Sequence, residues 1–294
     1  MRVLMVGGTG FIGPYVAKEL CERGHDVTVF HRGQHESVLT PAVRQVRSEL
    51  AAMPVLEFPS ELLRQDFALV IHMIPMGEAD TRAAVQAFAG RAGRLAVLSS
   101  GDVYRAYGRF TGLEPGPVEE GLLREDSPLR EKLYPYRAHA KSPTDLNFYY
   151  DKILAEREAM ADANLPATVL RLPKVYGPGG NAGLATVYEN RDRSEWRWTH
   201  GYVENVAAAI VLAALHPAAA NRVYNVGEAY TPTVAERLET LPASTVPSAP
   251  DNGYDFLQNI AYDTTRIRHE LGYIEPVSYE EGLERMLRAA TTQV

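Results

Sequence analysis

VGGTGFIG, residues 6–13, follows directly on the apolar run RVLM and opens a stretch in which Ile12, Val16 and Leu20 recur at helical spacing until Gly24. The order is strand, glycine triplet, helix. Gly7 suits a tight turn, Gly10 leaves the backbone bare for a pyrophosphate, and Gly13 lets the helix close on the strand. The helix N-terminus then offers free N–H groups and a partial positive charge to phosphates. A glycine triplet alone says little, but in this context it implies a dinucleotide site. Phe11 and Ile12 belong to the same turn and join Gly7, Gly10 and Gly13 as expected cofactor contacts.

Outward from this turn the chain alternates short apolar runs with longer amphipathic ones. Residues 2–7, 26–31, 43–48, 69–74, 94–100 and 167–172 read as strands, and residues 79–89 and 146–163 as helices. Strands this apolar on both faces belong in a covered parallel sheet. The expected fold is α/β: a Rossmann doubly wound parallel sheet with a small C-terminal substrate domain. The expected division is a dinucleotide-binding domain over 1–173, to which 202–226 returns, and a substrate-binding domain over 174–294. Between Arg105 and Asn147 prolines and mixed charge predict a long loop, read as a lid or substrate wall. Residues 241–253 read as a connector.

Composition narrows the partners. A net charge of −7 over 294 residues gives no reason to expect nucleic acid or an anionic membrane surface. No run approaches the ~20 apolar residues of a membrane span, and no targeting segment is visible, so a cytoplasmic protein is expected. The single Cys21 reads as an apolar filler of the first helix. The histidines show no metal-ligand spacing, and no metal is expected. The expected partner is a small-molecule substrate.

Cofactor choice turns on the end of the second strand. An NAD site usually places an acid about 20 residues after the glycines, accepting from the ribose hydroxyls. Here the sequence is Phe30, His31, Arg32, Gly33, without an acid. Arg32 is suited to a 2′-phosphate, which favours NADP(H) over NAD(H).

Several motifs in order resemble the extended short-chain dehydrogenase/reductases, the family of NAD-dependent epimerases and dehydratases. They are VGGTGFIG, LSSGDVY (98–104), RLPKVYGPGG (171–180), GYVENVAAAI (201–210) and VYNVG (223–227), and the resemblance spans nearly the whole chain. It implies that RSEL (47–50), with Glu49 and Leu50, faces the adenine. It also implies that Ser100 orients the substrate oxygen, and that Lys152 binds the nicotinamide ribose and supports a tyrosine four residues earlier. That position is Phe148. On a continuous helix over LNFYYDKILAE (146–156), Phe148 lies about 40° from Lys152, Tyr149 about 60° to the other side, and Tyr150 roughly away.

Three readings stay open. Tyr149 takes over; or Asp102, His139, Tyr134 or Tyr136 supplies the acid or base; or the site only binds dinucleotide. The family's dehydratases often carry an Asp-Glu pair after the serine. Gly101 and Asp102 stand there, leaving one carboxylate. The candidate catalytic set is therefore Ser100, Asp102, Tyr149 and Lys152. Lys174 replaces the family's usual asparagine, either to bind an anionic group or to reach solvent. Trp196 and Trp198 read as core rings on one face of a strand. The function implied is an NADP(H)-binding oxidoreductase or epimerase/dehydratase-like enzyme for a small polar substrate; the alternatives are a non-redox lyase or cyclase, or a sensor without turnover. Relatives often pair across the helices matching 79–89 and 146–163. With Ala83, Ala84, Ala87 and Phe88 on the first, a homodimer is expected.

Overall fold

The computed structural model describes residues 1–34, 39–50, 52–181 and 184–291. Seven parallel strands form one sheet: β1 (Arg2–Val6), β2 (Asp26–His31), β3 (Arg44–Arg47), β4 (Leu69–His72), β5 (Leu95–Ser100), β6 (Ala167–Leu172) and β9 (Arg222–Asn225), with β7 and β8 elsewhere. Their order is β3-β2-β1-β4-β5-β6-β9. The winding reverses between β1 and β4, which opens a crevice at their carboxyl ends.

Alternation along β1 decides the two faces. Val3 and Met5 pack with Val16 and Leu20 of α1 (Gly13–Glu22) and with the alanine-rich α8 (Val203–Leu215). Leu4 and Val6 face the other way, toward Val85 and Phe88 of α3 (Glu78–Phe88) and Ala159 of α6 (Lys152–Ala161). Both faces are thus covered, which is why the strands read as continuous apolar runs.

A second core lies beyond the strand ends. It joins Tyr104, Ala106 and Phe110 to Trp196, Tyr202, Tyr262 and Met286. A two-stranded sheet, β7 (Lys174–Tyr176) beside β8 (His200–Tyr202), bridges toward it. The Trp196 ring stacks on Phe110 at 5.1 Å, and Trp198 meets Phe110 edge-on at 6.1 Å. Both rings therefore sit on one side, held by isolated bridges from Arg197 to Thr233 and from Trp198 to Ile260.

Two expectations are corrected. The helix over 146–163 is interrupted: α5 (Leu146–Tyr149) ends, Tyr150 and Asp151 are extended, and α6 starts at Lys152. The apolar face of α3 is also smaller than it reads. Ala84 and Phe88 are fully buried, Phe88 against Phe58 and Phe67, so only Ala83 and Ala87 remain partly open. Among the described residues no helix is long and apolar enough to cross a membrane.

Candidate functional site

The glycine turn closes on the crevice. Gly7 donates its N–H to Phe30 O at 2.8 Å and has φ +82°, a conformation that favours glycine. A Cβ on Gly13 would run into the Gly8 carbonyl, so this glycine permits the close approach of α1 to the turn. A Cβ on Gly10 would meet nothing within 4 Å; the position faces open space. No side chain caps α1, whose Ile12 is the N-cap residue. Pro14 carries no N–H, and Tyr15 N and Val16 N donate to Ile12 O at 3.2 and 3.3 Å, so of the first-turn amides that of Gly13 remains for an anion.

Gly7, Gly10, His31 and Arg32 line a cleft of about 110 Å³ whose far wall is Ser48, Met53, Val55 and Ile74. Arg32 is half-buried there, and the Arg47 guanidinium lies against Gly33 beside it. His31 Nδ1 accepts from Gly33 N at 3.1 Å, and burial lowers its pKa. Glu49 and Leu50 are exposed, Leu50 at 63%, and do not line this cleft. Phe11 turns from it to pack on Gly180.

The chemical groups gather at the carboxyl end of β5. Ser100 Oγ accepts from Asp102 N at 3.4 Å, starting a short 3₁₀ turn over Gly101–Val103. Any side chain at Gly101 would strike Tyr262 Oη, which donates to Leu172 O at 3.1 Å. A phenol thus fills the space beside the missing carboxylate. Asp102 is 3% exposed. Burial raises its pKa, while Tyr150, Arg130 and Lys152 pull it down. Its Oδ2 lies 3.3 Å from Tyr136 Oη, and its Oδ1 is buried without a hydrogen-bond partner among the described residues.

Lys152 Nζ donates to Pro75 O at 2.5 Å and Leu98 O at 3.1 Å. Burial brings its pKa down to about 8, against the pull of Asp102, Asp80 and Glu156. The break before α6 decides which ring faces this ammonium. Asp151 caps α6, accepting from Ile153 N at 2.9 Å and Leu154 N at 3.4 Å, while its own N–H donates to Met76 O at 2.8 Å. The ring nearest Lys152 is then Tyr150, with its centroid 5.6 Å from Nζ.

The helical-wheel placement therefore fails at all three rings. Phe148 packs 4.5 Å from the Arg137 guanidinium, and Tyr149 lies edge-on to Phe148 at 5.4 Å. Both line an outer hollow of about 240 Å³ with Gly77, Glu78 and Arg82. Of the loop candidates, Tyr136 reaches Asp102, Tyr134 holds Arg137 at 3.4 Å, and His139 is exposed. Lys174 Nζ lies 5.4 Å from the Trp198 ring.

Residues 105–147 form a wall pinned at several points. Phe110 of α4 (Arg105–Phe110) sits in the second core, and the buried Arg130 donates from Nε to Asp102 O. Tyr134 N donates to Asp151 Oδ2 at 2.5 Å. Arg130 and Tyr262 escaped the sequence reading, because nothing periodic marks a loop residue that reaches the site by tertiary packing. Tyr150 did carry a signal: the Asp-Lys pair after it begins a helix at a preferred N-cap residue. A cavity of about 850 Å³ lies apart from these groups, among Tyr176, Tyr202, Arg268 and Tyr279.

Residues 3–73 match the model of the NAD dependent epimerase/dehydratase family. Over 258 residues the chain is 26% identical to a 2-alkyl-3-oxoalkanoate reductase of Stenotrophomonas maltophilia, covering 75% of this chain and 68% of that one. A UDP-glucose 4-epimerase of Thermotoga maritima, solved with UDP-glucose, superimposes with a TM-score of 0.70 at 20% identity, covering 100% and 99% of the two chains. MoeE5, solved with UDP-glucuronic acid and NAD, gives 0.70 at 21% identity over 100% of both chains. The NDP-hexosamine 5,6-dehydratase TunA gives 0.71 at 20% identity, covering 99% of this chain and 98% of that one. These structural likenesses establish the fold.

Proposed function

We propose that the chain is an NAD(P)-dependent enzyme of the NAD-dependent epimerase/dehydratase family, an oxidoreductase or epimerase/dehydratase-like enzyme of a small polar substrate with NADP(H) as cofactor. The match of residues 3–73 to that family's model and the likeness to a 2-alkyl-3-oxoalkanoate reductase support this reading. The observation that carries this reading is the buried Asp102 carboxylate set beside Ser100 and Lys152 at the carboxyl end of β5, two strands across the same sheet from the β1 end that bears the glycine turn. A buried acid beside an ammonium at such a strand end is suited to moving a proton.

The residues present fit a dinucleotide. The open space at Gly10 and the Gly13 amide at the N-terminus of α1 suit a pyrophosphate, and Arg32 suits a 2′-phosphate. When bound, the cofactor supplies hydride exchange at the substrate carbon. In this reading Lys152, held by two carbonyls, would bind the ribose hydroxyls. Ser100 Oγ would orient the substrate oxygen, and Asp102 would hold or release a proton. Relatives act on 3-oxo acids and on nucleotide sugars; a ketone or hydroxyl carbon is the feature these share. For assembly we keep the outer faces of α3 and α6, with Ala83 and Ala87, as the proposed contact between two copies; a monomer mass in light scattering would sink it.

The test is direct. NADPH and NADH are titrated into the protein by tryptophan quenching, and turnover is then followed by reduced-nicotinamide absorbance with 3-oxo esters and UDP-sugars. Binding with turnover of one class supports the reading. Binding without turnover favours a sensor, and failure to bind either dinucleotide removes it.

A further inference from the structure

Resting on that reading of the site, we propose that Tyr150 is the phenol that exchanges the substrate's proton, with Asp102 as the carboxyl that resupplies it. The backbone delivers Tyr150 there. Because Asp151 is tied to Met76 O, Tyr134 N and the first amides of α6, the residue before it is extended (φ −64°, ψ 116°). Tyr150 then packs at a tilt of 52° against Tyr136, with ring centroids 5.2 Å apart, and interacts with the Asp102 carboxylate.

The cluster has the parts that proton exchange needs. Tyr150 is the donor, and the Lys152 ammonium beside its ring is placed to stabilise a phenolate. Asp102 is the reservoir, and its partnerless Oδ1 is a buried acceptor left for an arriving hydroxyl. Beyond it Tyr136 Oη stands 3.3 Å from Asp102 Oδ2 and 3.3 Å from Tyr107 Oη, continuing the chain along the wall. These contacts are long for hydroxyl hydrogen bonds, and such contacts tighten when substrate is bound. The remaining groups facing Asp102 are Arg130, Asp151 and Tyr262. Burial holds the Tyr150 phenol well above its ordinary pKa, so it keeps a proton to give.

In the reducing direction a bound reduced nicotinamide would supply the hydride for the new C–H bond, and the residues here would handle the proton. The C–O π pair moves onto oxygen, and the O–H bond forms with the proton of Tyr150 Oη. The Asp102 carboxyl returns a proton to the phenolate, and solvent restores Asp102 through Tyr136. Oxidation runs the same transfers backward.

Two readouts decide it. The first needs no turnover: ultraviolet titration of the wild type minus Y150F isolates this phenol, with and without saturating NADP+. A cationic nicotinamide against Tyr150 should lower its midpoint by about one pH unit or more, since an opposite charge favours the ionised form. D102N should lower the midpoint of the free protein as well. If NADP+ binds in both proteins and leaves the midpoint unmoved, Tyr150 does not face the nicotinamide and the proposal is overturned. If no dinucleotide binds, the cofactor reading itself fails, and with it the proposal. The second readout is turnover of the substrate class found active. Y150F should lose about 10²–10⁴ in rate with dinucleotide affinity kept, whereas F148L should stay near wild type. A Y150F rate within a few-fold of wild type would overturn the proposal.

Discussion

Arg171 meets Glu156 at two points, Nε to Oε1 at 2.9 Å and Nη2 to Oε2 at 2.7 Å, with both side chains buried. The pair joins β6 to α6 one turn beyond Lys152. Ser99 Oγ donates to the same carboxylate at 2.5 Å, and Arg171 Nη1 donates to Glu125 O at 2.9 Å. Together they hold the Lys152 helix against the strand that ends in Ser100. Removing one charge of a buried pair leaves the other uncompensated, which costs roughly 3–5 kcal/mol. Glu156→Gln should therefore lose stability on that scale in urea unfolding. A loss near zero would show that the pair is not a structural tie.

Arg32 gives a separate expectation. A 2′-phosphate held by charged hydrogen bonds is worth about 1.5–3 kcal/mol, so NADPH should bind roughly 10- to 150-fold tighter than NADH. Arg32→Ala should remove most of that difference and leave NADH affinity nearly unchanged. The solved neighbour MoeE5 holds NAD, so equal affinities in the wild type would place this chain with it and sink the assignment.

Much of the frame was legible because it is local. Strand, glycine turn and helix announce themselves within residues 2–22, and Ser100, Asp102 and Lys152 ride on strand and helix ends that the apolar pattern locates. The rest depends on contacts between distant segments. Phe88 reads as part of a free apolar face because nothing in the sequence shows that Phe58 and Phe67 will pack on it. Arg130 reads as one more charged loop residue until the fold sets it under Asp102 O. Helical periodicity carried the wheel straight through Tyr150 and Asp151, although an aspartate before a lysine and two aliphatics is itself a start signal.

His72 ends β4 with no exposure and, among the described residues, no hydrogen-bond partner for either ring nitrogen, 4.0 Å from Asp80. Burial pushes its pKa down from 6.5 to about 4. Below pH 6.5 the unfolded chain takes up a proton that the folded chain refuses until about 4, so stability falls as pH drops through that window. The full effect is roughly 3 kcal/mol. Glu228, raised by burial from 4.5 to about 6, acts oppositely: its contribution is present below 4.5 and lost as pH rises through about 6. The clean measurement is therefore the difference between wild type and His72→Leu. The variant should resist acid better between pH 6.5 and 4. Parallel stability curves would refute the account.

Phe148 separates a continuous helix from an interrupted one. On a continuous helix its ring stands one turn before Lys152, and Phe148→Tyr restores the missing phenol, so turnover should rise. With α5 and α6 separated by Tyr150 and Asp151, the ring instead lies over Arg137 and against Tyr149, on the outer side of the wall. A hydroxyl added there reaches none of Ser100, Asp102 or Lys152. Phe148→Tyr should thus leave turnover and dinucleotide affinity unchanged, while Phe148→Leu should lose the ring's contact with the guanidinium. That contact is worth about 0.5–1 kcal/mol at a partly exposed site, a small shift in the urea midpoint. Steady-state rates and unfolding curves for the two variants are enough to decide. A large gain in rate from Phe148→Tyr would mean that α5 and α6 join into one helix when substrate is bound, and that Tyr150 turns away from Asp102.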